Sequence, residues 1–308
     1  MWTAAWSPSS NLLVTGSVDE TVKFWEEVDD VLQPRHTLTG VSLGAVSLAI
    51  DSCGQYGAVC ALDSSISVWN MSDYTPGAPI HGIAPSEAWG IAFVPRASQD
   101  DPLLLAIAAG SAHKLRLWDV AAGNEMLSVE LPEQEKGTDA MPQSHTSKRR
   151  QEKFALSVVV SQDKQTIAVG SMDGGVCLID SETGQVKVRP SGHFRPVRSL
   201  TFTPDGRHLL TACDDMHINM YDTQGGSLVE SLSGHESWVL SLAVHPDGTA
   251  LASGGSDAKL KLWDLTTRTC AQTITDHTDQ VWSVAWRGDG SRCASVSDDG
   301  SICIYDFL

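Results

Sequence analysis

The stretch GHESWVLSLAVHPDGTALASGGSDAKLKLWD, residues 234–264, decides the fold. It contains three runs of alternating apolar residues, WVLSLAV, ALASGG and LKLWD, which the turns HPDG and SDAK separate. Alternation with a period of two, interrupted by Pro-Asp-Gly and Asp-rich turns, predicts short antiparallel strands. A fourth run, TCAQTITD, follows before His277, where the pattern begins again. The stretch therefore predicts one four-stranded sheet that is followed by another of the same kind.

The closing run of this stretch has seven copies along the chain. The copies end their alternation at Trp25, Trp69, Trp118, Ile179, Tyr221, Trp263 and Tyr305. The steps between these positions are 44, 49, 61, 42, 42 and 42 residues, so the long step marks an insertion. Four strands in each of seven repeats predict an all-β, seven-bladed propeller, since no single blade could bury both of its faces. We expect one domain over residues 1–308, with a disordered polar insertion over residues 130–153 between blades three and four.

Composition narrows the class of partner. The chain has 308 residues, 42% of them hydrophobic, which suffices for a full core. Its 38 acidic and 21 basic residues give a net charge of -17, which argues against direct binding to nucleic acid. Seven cysteines without a C-x-x-C pair indicate reduced thiols that serve as small core residues. We expect neither a signal peptide nor a membrane span, because no apolar stretch has the required length.

The repeats resemble the WD-repeat family, whose Gly-His and Trp-Asp signature is strong over residues 191–308 and eroded in the first half. Segments such as SEAWGIAF (86–93), SGHFRPVRSLTFTPDG (191–206) and RTCAQTITDHTDQVWSVAW (268–286) are similar to the WD-repeat subunits shared by the superkiller and RNA polymerase-associated factor complexes.

This resemblance implies a non-enzymatic scaffold of the nucleus and cytoplasm. The first complex feeds messenger RNA to the exosome, and the second supports transcription elongation and histone methylation. The implied partners are protein subunits, including a tetratricopeptide-repeat scaffold and a helicase, around a monomeric propeller that binds neither nucleic acid nor membrane. A different WD-repeat adaptor, such as a ubiquitin-ligase substrate receptor or a histone-peptide reader, is the alternative.

His235, Ser253 and Asp257 together resemble a hydrolase triad, but the set is repeated. Equivalent sets follow at the same 42-residue offset: His193, Thr211 and Asp215, and His277, Ser295 and Asp299. Nucleophilic catalysis needs one unique constellation with an oxyanion hole, so repetition favours a structural role. In WD-repeat proteins these positions and a strand tryptophan form a buried hydrogen-bonded chain, which Trp263 completes here. The histidines fall on different blades, so they predict no shared metal site, and we expect no cofactor.

A second column of residues predicts where partners bind. Aligned on Leu240, the seven repeats carry Trp2, Val46, Trp89, Leu156, Arg198, Leu240 and Trp282. In WD-repeat folds this column rims the mouth of the central channel on the top face. Tryptophan and arginine are typical anchors of protein interfaces. We therefore predict a partner-binding rim that consists of Trp2, Trp89, Arg198, Trp238, Leu240 and Trp282.

Two further expectations concern this rim. Its acidic border, Glu87, Glu236 and Asp279, favours a basic or amphipathic peptide. The alternative is that the indoles only plug the channel.

The end of the last repeat predicts an incomplete blade. Only Phe307 and Leu308 follow Asp306, and Trp2 already aligns with strand A of blade one. We expect blade seven to have three strands, with residues 301–306 as an unpaired edge. Either a segment upstream of Met1 in the natural protein or a strand from a partner would complete it.

Overall fold

The computed structural model describes residues 1–77, 80, 87–132 and 153–307 and arranges their strands in seven antiparallel sheets. The predicted all-β, seven-bladed propeller is thereby confirmed. We call the strands of a blade A to D in chain order. Each strand A packs on strand A of both neighbouring blades, so the seven A strands close an inner ring. The short 3-10 turn Gly110–Ala112 is the one helical element in the described part of the chain.

In the described part of the chain, the first three blades contain eleven strands. Blade one consists of β1 (Thr3–Trp6), β2 (Leu12–Gly16), β3 (Thr21–Val28) and β4 (Val31–Thr39). Blade two consists of β5 (Ala45–Ile50), β6 (Tyr56–Ala61) and β7 (Ile66–Asn70). Blade three consists of β8 (Gly90–Phe93), β9 (Leu104–Ala109), β10 (Lys114–Asp119) and β11 (Asn124–Glu130).

The remaining four blades contain fifteen strands. Blade four consists of β12 (Ala155–Val160), β13 (Thr166–Ser171), β14 (Val176–Asp180) and β15 (Val186–Val188). Blade five consists of β16 (Val197–Phe202), β17 (His208–Cys213), β18 (His217–Asp222) and β19 (Leu228–Ser233). Blade six consists of β20 (Val239–Val244), β21 (Ala250–Gly255), β22 (Leu260–Asp264) and β23 (Thr269–Ile274). Blade seven consists of β24 (Val281–Trp286), β25 (Arg292–Ser297) and β26 (Ile302–Asp306).

Turn chemistry and core packing follow the sequence pattern. In the turn of the opening stretch, Gly248 has φ +80° and donates its N–H to the His245 carbonyl at 2.8 Å, a conformation that favours glycine. Between the blades, alternate strand residues form the core. Trp6 and Trp286, which the repeat alignment places in the core, are 6% and 9% exposed.

Serine hydroxyls link neighbouring A strands at five of the seven blade boundaries in the described part of the chain. Ser47, Ser199, Ser241 and Ser283 each accept a backbone N–H from the next blade at 3.1–3.2 Å. Ser157 instead donates to the carbonyl of Val197 at 3.0 Å. The Ser283 bond reaches Ala4 and so links the last blade to the first. These contacts satisfy backbone N–H and C=O groups of the A strands that have no partner strand within their own blade.

Blade seven has three strands in the part of the chain that the structure describes, as the sequence predicted. Its strand β26 is only partly buried, whereas the corresponding strands β14 and β22 of blades four and six are almost wholly buried. The difference follows from the geometry, because an outer strand covers β14 and β22 but none covers β26.

Two other predicted segments lie partly outside the described residues. An outer strand for blade two would fall largely on residues 78–86, of which the structure describes only residue 80. Most of the predicted insertion, residues 133–152, is likewise outside. Its first residue, Glu130, still belongs to β11, and Leu131 after it is 7% exposed. The outer strand of blade three therefore extends into the range predicted as disordered.

Candidate partner-binding face

One edge of every blade carries both the loop that leads into strand A and the turn between strands B and C. A backbone hydrogen bond joins the two in several blades. The turn N–H groups of Asp214, Ser256 and Asp298 donate to the loop carbonyls of Pro196, Trp238 and Gln280 at 2.8–3.1 Å. We call the surface formed by these loops and turns the top face.

Blade six carries the complete hydrogen-bonded chain at this face. His235 Nε2 lies 2.7 Å from Ser253 Oγ, and its Nδ1 lies 3.0 Å from Asp257 Oδ2. Trp263 donates its indole N–H to Ser253 Oγ at 2.8 Å. The loop into strand A is thereby tied to strands B and C of its own blade. Because Ser253 is fully buried, these bonds replace water for its hydroxyl.

Blades five and seven repeat the histidine contacts. His193 lies 2.7 Å from Thr211 Oγ1 and 2.6 Å from Asp215 Oδ2. His277 lies 2.7 Å from Ser295 Oγ and 2.9 Å from Asp299 Oδ2. We call each set of histidine, hydroxyl and aspartate a fastener, because it ties the loop into strand A to the rest of its own blade. Since three blades repeat one geometry, the sets do not form a single reactive centre.

Among the described residues of blades one and two, no histidine makes these contacts. In blade one, Trp25 donates to Thr15 Oγ1 at 2.9 Å. In the loop that leads into strand A of blade two, Val41 takes the place of the histidine. In blade two, Trp69 donates to the sulfur of Met71 at 3.2 Å instead of to a strand hydroxyl. Val41 is 6% exposed, so apolar packing replaces the imidazole there.

The fasteners change the acidity of their carboxylates. Burial alone would raise the pKa of Asp257, but hydrogen bonds from His235 and from the Glu236 N–H outweigh it and lower the pKa below its ordinary value. In blade seven, burial is likewise outweighed by hydrogen bonds from Ser301, Thr278 and His277, so the pKa of Asp299 is lowered well below its ordinary value. Both groups are therefore carboxylates at neutral pH.

Among the described residues, His193, Cys213 and Asp215 form one group whose potential metal-ligand atoms lie within 4.8 Å of one another. The His193 nitrogens are the ones that contact Thr211 and Asp215. Burial raises the pKa of the Cys213 thiol, which opposes formation of the thiolate that metals bind. The group thus acts as a fastener.

The rim column owes its orientation to β-bulges. In five blades the pairing of strands A and B skips one residue, and that residue is the member of the column: Val46, Leu156, Arg198, Leu240 and Trp282. A bulge leaves a residue unpaired and redirects its side chain. Trp2 and Trp89 directly precede β1 and β8 in the other two blades. The column is therefore a backbone feature that the repeat shares.

The structure divides the rim residues into three groups. Trp2 and Trp282 pair with ring centroids 6.0 Å apart, and the Trp282 indole N–H donates to Asp298 Oδ2 at 2.7 Å. Trp89 packs edge-on against Phe154, with centroids 5.5 Å apart.

The third group crosses from blade five to blade six. Arg198 binds Asp214 through two hydrogen bonds of 2.8 and 2.7 Å, and its guanidinium lies over the ring of Trp238. The three tryptophans of the column are partly exposed, and Trp238 is 45% exposed.

One member of the predicted rim does not belong to it. Leu240 is 5% exposed, because its side chain joins the core, and therefore it offers a partner almost no surface. Two of the three acidic residues predicted to border the rim form salt bridges: Glu87 with Arg116 and Glu236 with Lys259, each at 2.8 Å. The N–H of Gln280 donates to the Asp279 carboxylate at 2.7 Å.

Two residues that hold the rim were missed from the sequence. Asp214 and Asp298 immediately precede the fastening aspartates of blades five and seven, and they bind Arg198 and Trp282. The sequence does contain a signal for them. CDDM and SDDG each have two consecutive aspartates, and the fastening role accounts only for the second of each pair.

Comparison with known proteins agrees with this geometry. The WD domain, G-beta repeat, matches residues 1–26, 184–222, 226–264 and 268–306. The chain belongs to the WD-repeat family. The matched repeats include the three blades that carry the histidine fasteners. A WD-repeat propeller of this kind is a scaffold for protein–protein interactions.

Several curated proteins are similar to this WD-repeat chain. WD repeat-containing protein VIP3 of Arabidopsis thaliana is 41% identical over 210 residues, covering 66% of this chain and 60% of that protein. WD repeat-containing protein SL1-17 of Schistosoma mansoni is 31% identical over 225 residues, covering 72% of this chain and 66% of that protein. Coronin-7 of Mus musculus is 32% identical over 121 residues, which are 39% of this chain and 12% of that protein. The chain thus spans less than two thirds of the length of the relatives it matches.

Within the described ranges, no helix has the length and apolar character needed to cross a membrane.

Proposed function

We propose that this protein is a non-enzymatic docking subunit that binds its partners through the tryptophan-rich rim of the top face. One observation carries the proposal: the β-bulge of blade seven holds Trp282 partly exposed at the top face, paired with Trp2 and hydrogen-bonded to Asp298. A large, preordered aromatic surface binds a partner with little loss of conformational entropy.

The acidic character of this protein favours partner segments that carry lysine or arginine. The net charge is -17, and Asp214 and Asp298 lie directly behind the rim residues that they bind. Charge complementarity of this kind sets orientation and association rate more than affinity. Tryptophan faces also bind cationic side chains.

We further propose that the protein is a subunit of the superkiller and polymerase-associated factor complexes; its resemblance to the WD-repeat subunits that these complexes share supports this. Its work would then be divided between messenger RNA decay in the cytoplasm and transcription elongation with histone methylation in the nucleus. Its direct partners would be the tetratricopeptide-repeat scaffold and the helicase, with the propeller as a single copy that contacts no nucleic acid.

Affinity purification of the tagged protein from its native cell, followed by mass spectrometry, tests this proposal. We expect helicase and tetratricopeptide-repeat subunits in amounts comparable with the bait. The Trp282→Ala variant should lose them, while the Met126→Ala variant, which changes a 58%-exposed side chain on β11, should keep them. Recovery of a cullin adaptor in their place would overturn membership of the two complexes and support a ubiquitin-ligase receptor.

A further inference from the structure

An aliphatic surface lies on the top face above blades one and two. Val18, Leu43 and Leu62 are 53%, 59% and 37% exposed, and we call them the aliphatic patch. Their three segments meet at Gly44. The Leu62 N–H donates to the Gly44 carbonyl at 2.9 Å, and a Cβ atom on Gly44 would lie 2.8 Å from Val18 Cα. The patch therefore joins two turns and one loop from neighbouring blades.

Comparison of equivalent positions distinguishes this patch from the rim. Val18 and Leu62 occupy the position directly before the turn aspartate of their blades, which Asp214 and Asp298 occupy in blades five and seven. Those two aspartates bind rim residues of their own blades. Valine and leucine cannot make such bonds, and here they extend into solvent. Exposed apolar residues that cluster on a surface mark interaction sites.

The backbone of Leu43 supports the same interpretation. Its φ of +61° lies in the left-handed region, which bulky side chains rarely adopt. Two bonds to one residue hold the loop in place: Val41 N–H donates to the Glu20 carbonyl and Leu43 N–H to Glu20 Oε1, each at 3.2 Å. Strained residues persist where the surrounding structure fixes them, and they concentrate at ligand-binding positions.

Acidic side chains border the aliphatic patch. Asp19 and Glu20 follow Val18 directly, and Asp63 follows Leu62. One nearby cation offsets them, Lys23, whose Nζ lies 3.3 Å from Asp19 Oδ2. Glu20 and Asp19 each keep exposed carboxylate surface despite these contacts. An apolar centre with a net negative border is complementary to an apolar side chain flanked by positive charge.

We propose that the aliphatic patch docks a short segment of a partner protein that carries an aliphatic or aromatic side chain next to lysine or arginine. The inference rests on the proposed docking function and adds to it a second site above blades one and two. The two sites together would let one partner contact the rim and the outer loops of blades one and two, or two partners bind at once.

Peptide selection tests this inference, because a random library requires no identified partner. A 12-residue phage library is selected on the wild-type protein and counter-selected on the bare support, and the triple variant Val18→Ser, Leu43→Asn, Leu62→Ser is reserved for the binding measurements. Asparagine tolerates the left-handed region, so this variant should keep the melting temperature of the wild type. Enriched peptides are synthesised with a fluorophore, and their binding is measured by polarisation at 50 and 500 mM NaCl.

We expect the enriched peptides to combine an apolar residue with lysine or arginine, to bind the triple variant at least 10-fold more weakly, and to lose affinity at high salt. Phe194→Ser is the matched control, because Phe194 is 75% exposed on the loop that leads into blade five. Its binding should equal that of the wild type. If the triple variant melts early, the single variant Leu62→Ser is measured in its place.

Three results would overturn the inference. The first is equal binding of the peptides to wild type and triple variant. The second is a consensus without basic residues together with salt-independent binding. The third is a wild-type dimer in sedimentation velocity that the triple variant abolishes, which would show that a second copy covers the patch.

Separate rim variants keep the two proposals distinguishable. If the peptides lose binding to Trp89→Ala and Trp282→Ala but not to the triple variant, the patch inference fails and the rim remains. If purification recovers no complex subunits while the peptides still require the patch, the proposed complexes are wrong and the patch remains.

Discussion

The guanidinium carbon of Arg198 lies 5.4 Å from the centroid of the Trp238 ring, across the boundary between blades five and six. Asp214 holds the same guanidinium through two hydrogen bonds, so its position is fixed from both sides. A cation–π contact at a partly exposed site contributes about 0.5–1 kcal/mol. Its greater consequence is geometric: Trp238, the most exposed indole in the described part of the chain, is held in a defined orientation.

Replacement of a rim indole should affect binding more than folding. We expect Trp89→Ala or Trp282→Ala to weaken partner capture by about 2 kcal/mol or more, as interface anchors do. The circular dichroism spectrum and melting curve should stay near those of the wild type, because both indoles are partly exposed. Pull-down with purified partner subunits measures the first effect. An insoluble variant would show that the indoles plug the channel instead.

Loss of a fastening histidine should destabilise the propeller. His235→Ala leaves Ser253 and Asp257 without their imidazole partner, and stranded buried polar groups cost about 1–3 kcal/mol. Urea denaturation measures the change in the free energy of unfolding. His217→Ala provides the control, since that side chain is 45% exposed. Equal stability of His235→Ala and the control would refute the fastening role.

Stability should fall in acid through the carboxylates of the fasteners. The folded pKa of Asp257 is below the ordinary value of about 3.9, so its ionised form stabilises the fold above that pH. The contribution is lost progressively as the pH falls through the folded pKa. The free-energy difference between wild type and Asp257→Asn should therefore shrink from pH 7 to pH 3. Denaturation at four pH values measures it, with the exposed Asp100→Asn as control; a constant difference would contradict the prediction.

The propeller could be predicted because each blade repeats one pattern of strands and turns. The fasteners around His193, His235 and His277 were visible for the same reason, since repetition excluded a single catalytic site. The burial of Leu240 could not be read from its column, because other members of the column, Trp2 and Trp282, are partly exposed at the equivalent position. The pairing of Trp2 with Trp282 joins the first and last blades, and no local pattern encodes it.

A buried ion pair illustrates what a repeat alignment cannot show. Asp51 in blade two and Arg96 in blade three are 45 residues apart, and their side chains are 0% and 3% exposed. Arg96 Nε donates to Asp51 Oδ2 at 3.1 Å, and a second bond runs from its Nη2 to the same oxygen. The other Asp51 oxygen accepts the N–H groups of Gln55 and Tyr56 at 2.7 and 2.6 Å. The other blades have no aspartate at the position of Asp51 and no arginine at the position of Arg96. The repeat pattern therefore gives no sign of the pair, and only the fold brings the two side chains together.

This ion pair gives the sharpest test of stability between blades. Arg96→Met leaves the Asp51 carboxylate buried without its countercharge, and such a loss costs about 3–5 kcal/mol in the free energy of unfolding. Arg35→Met is the matched control: its partner is Glu26 at 3.1 Å, the two side chains are 59% and 40% exposed, and such pairs contribute about 0–1 kcal/mol. Chemical denaturation of both variants measures the difference. The double variant Asp51→Leu, Arg96→Met should recover part of the loss, because it removes the stranded charge. If the double variant is no more stable than Arg96→Met, packing rather than charge holds blades two and three together at this contact.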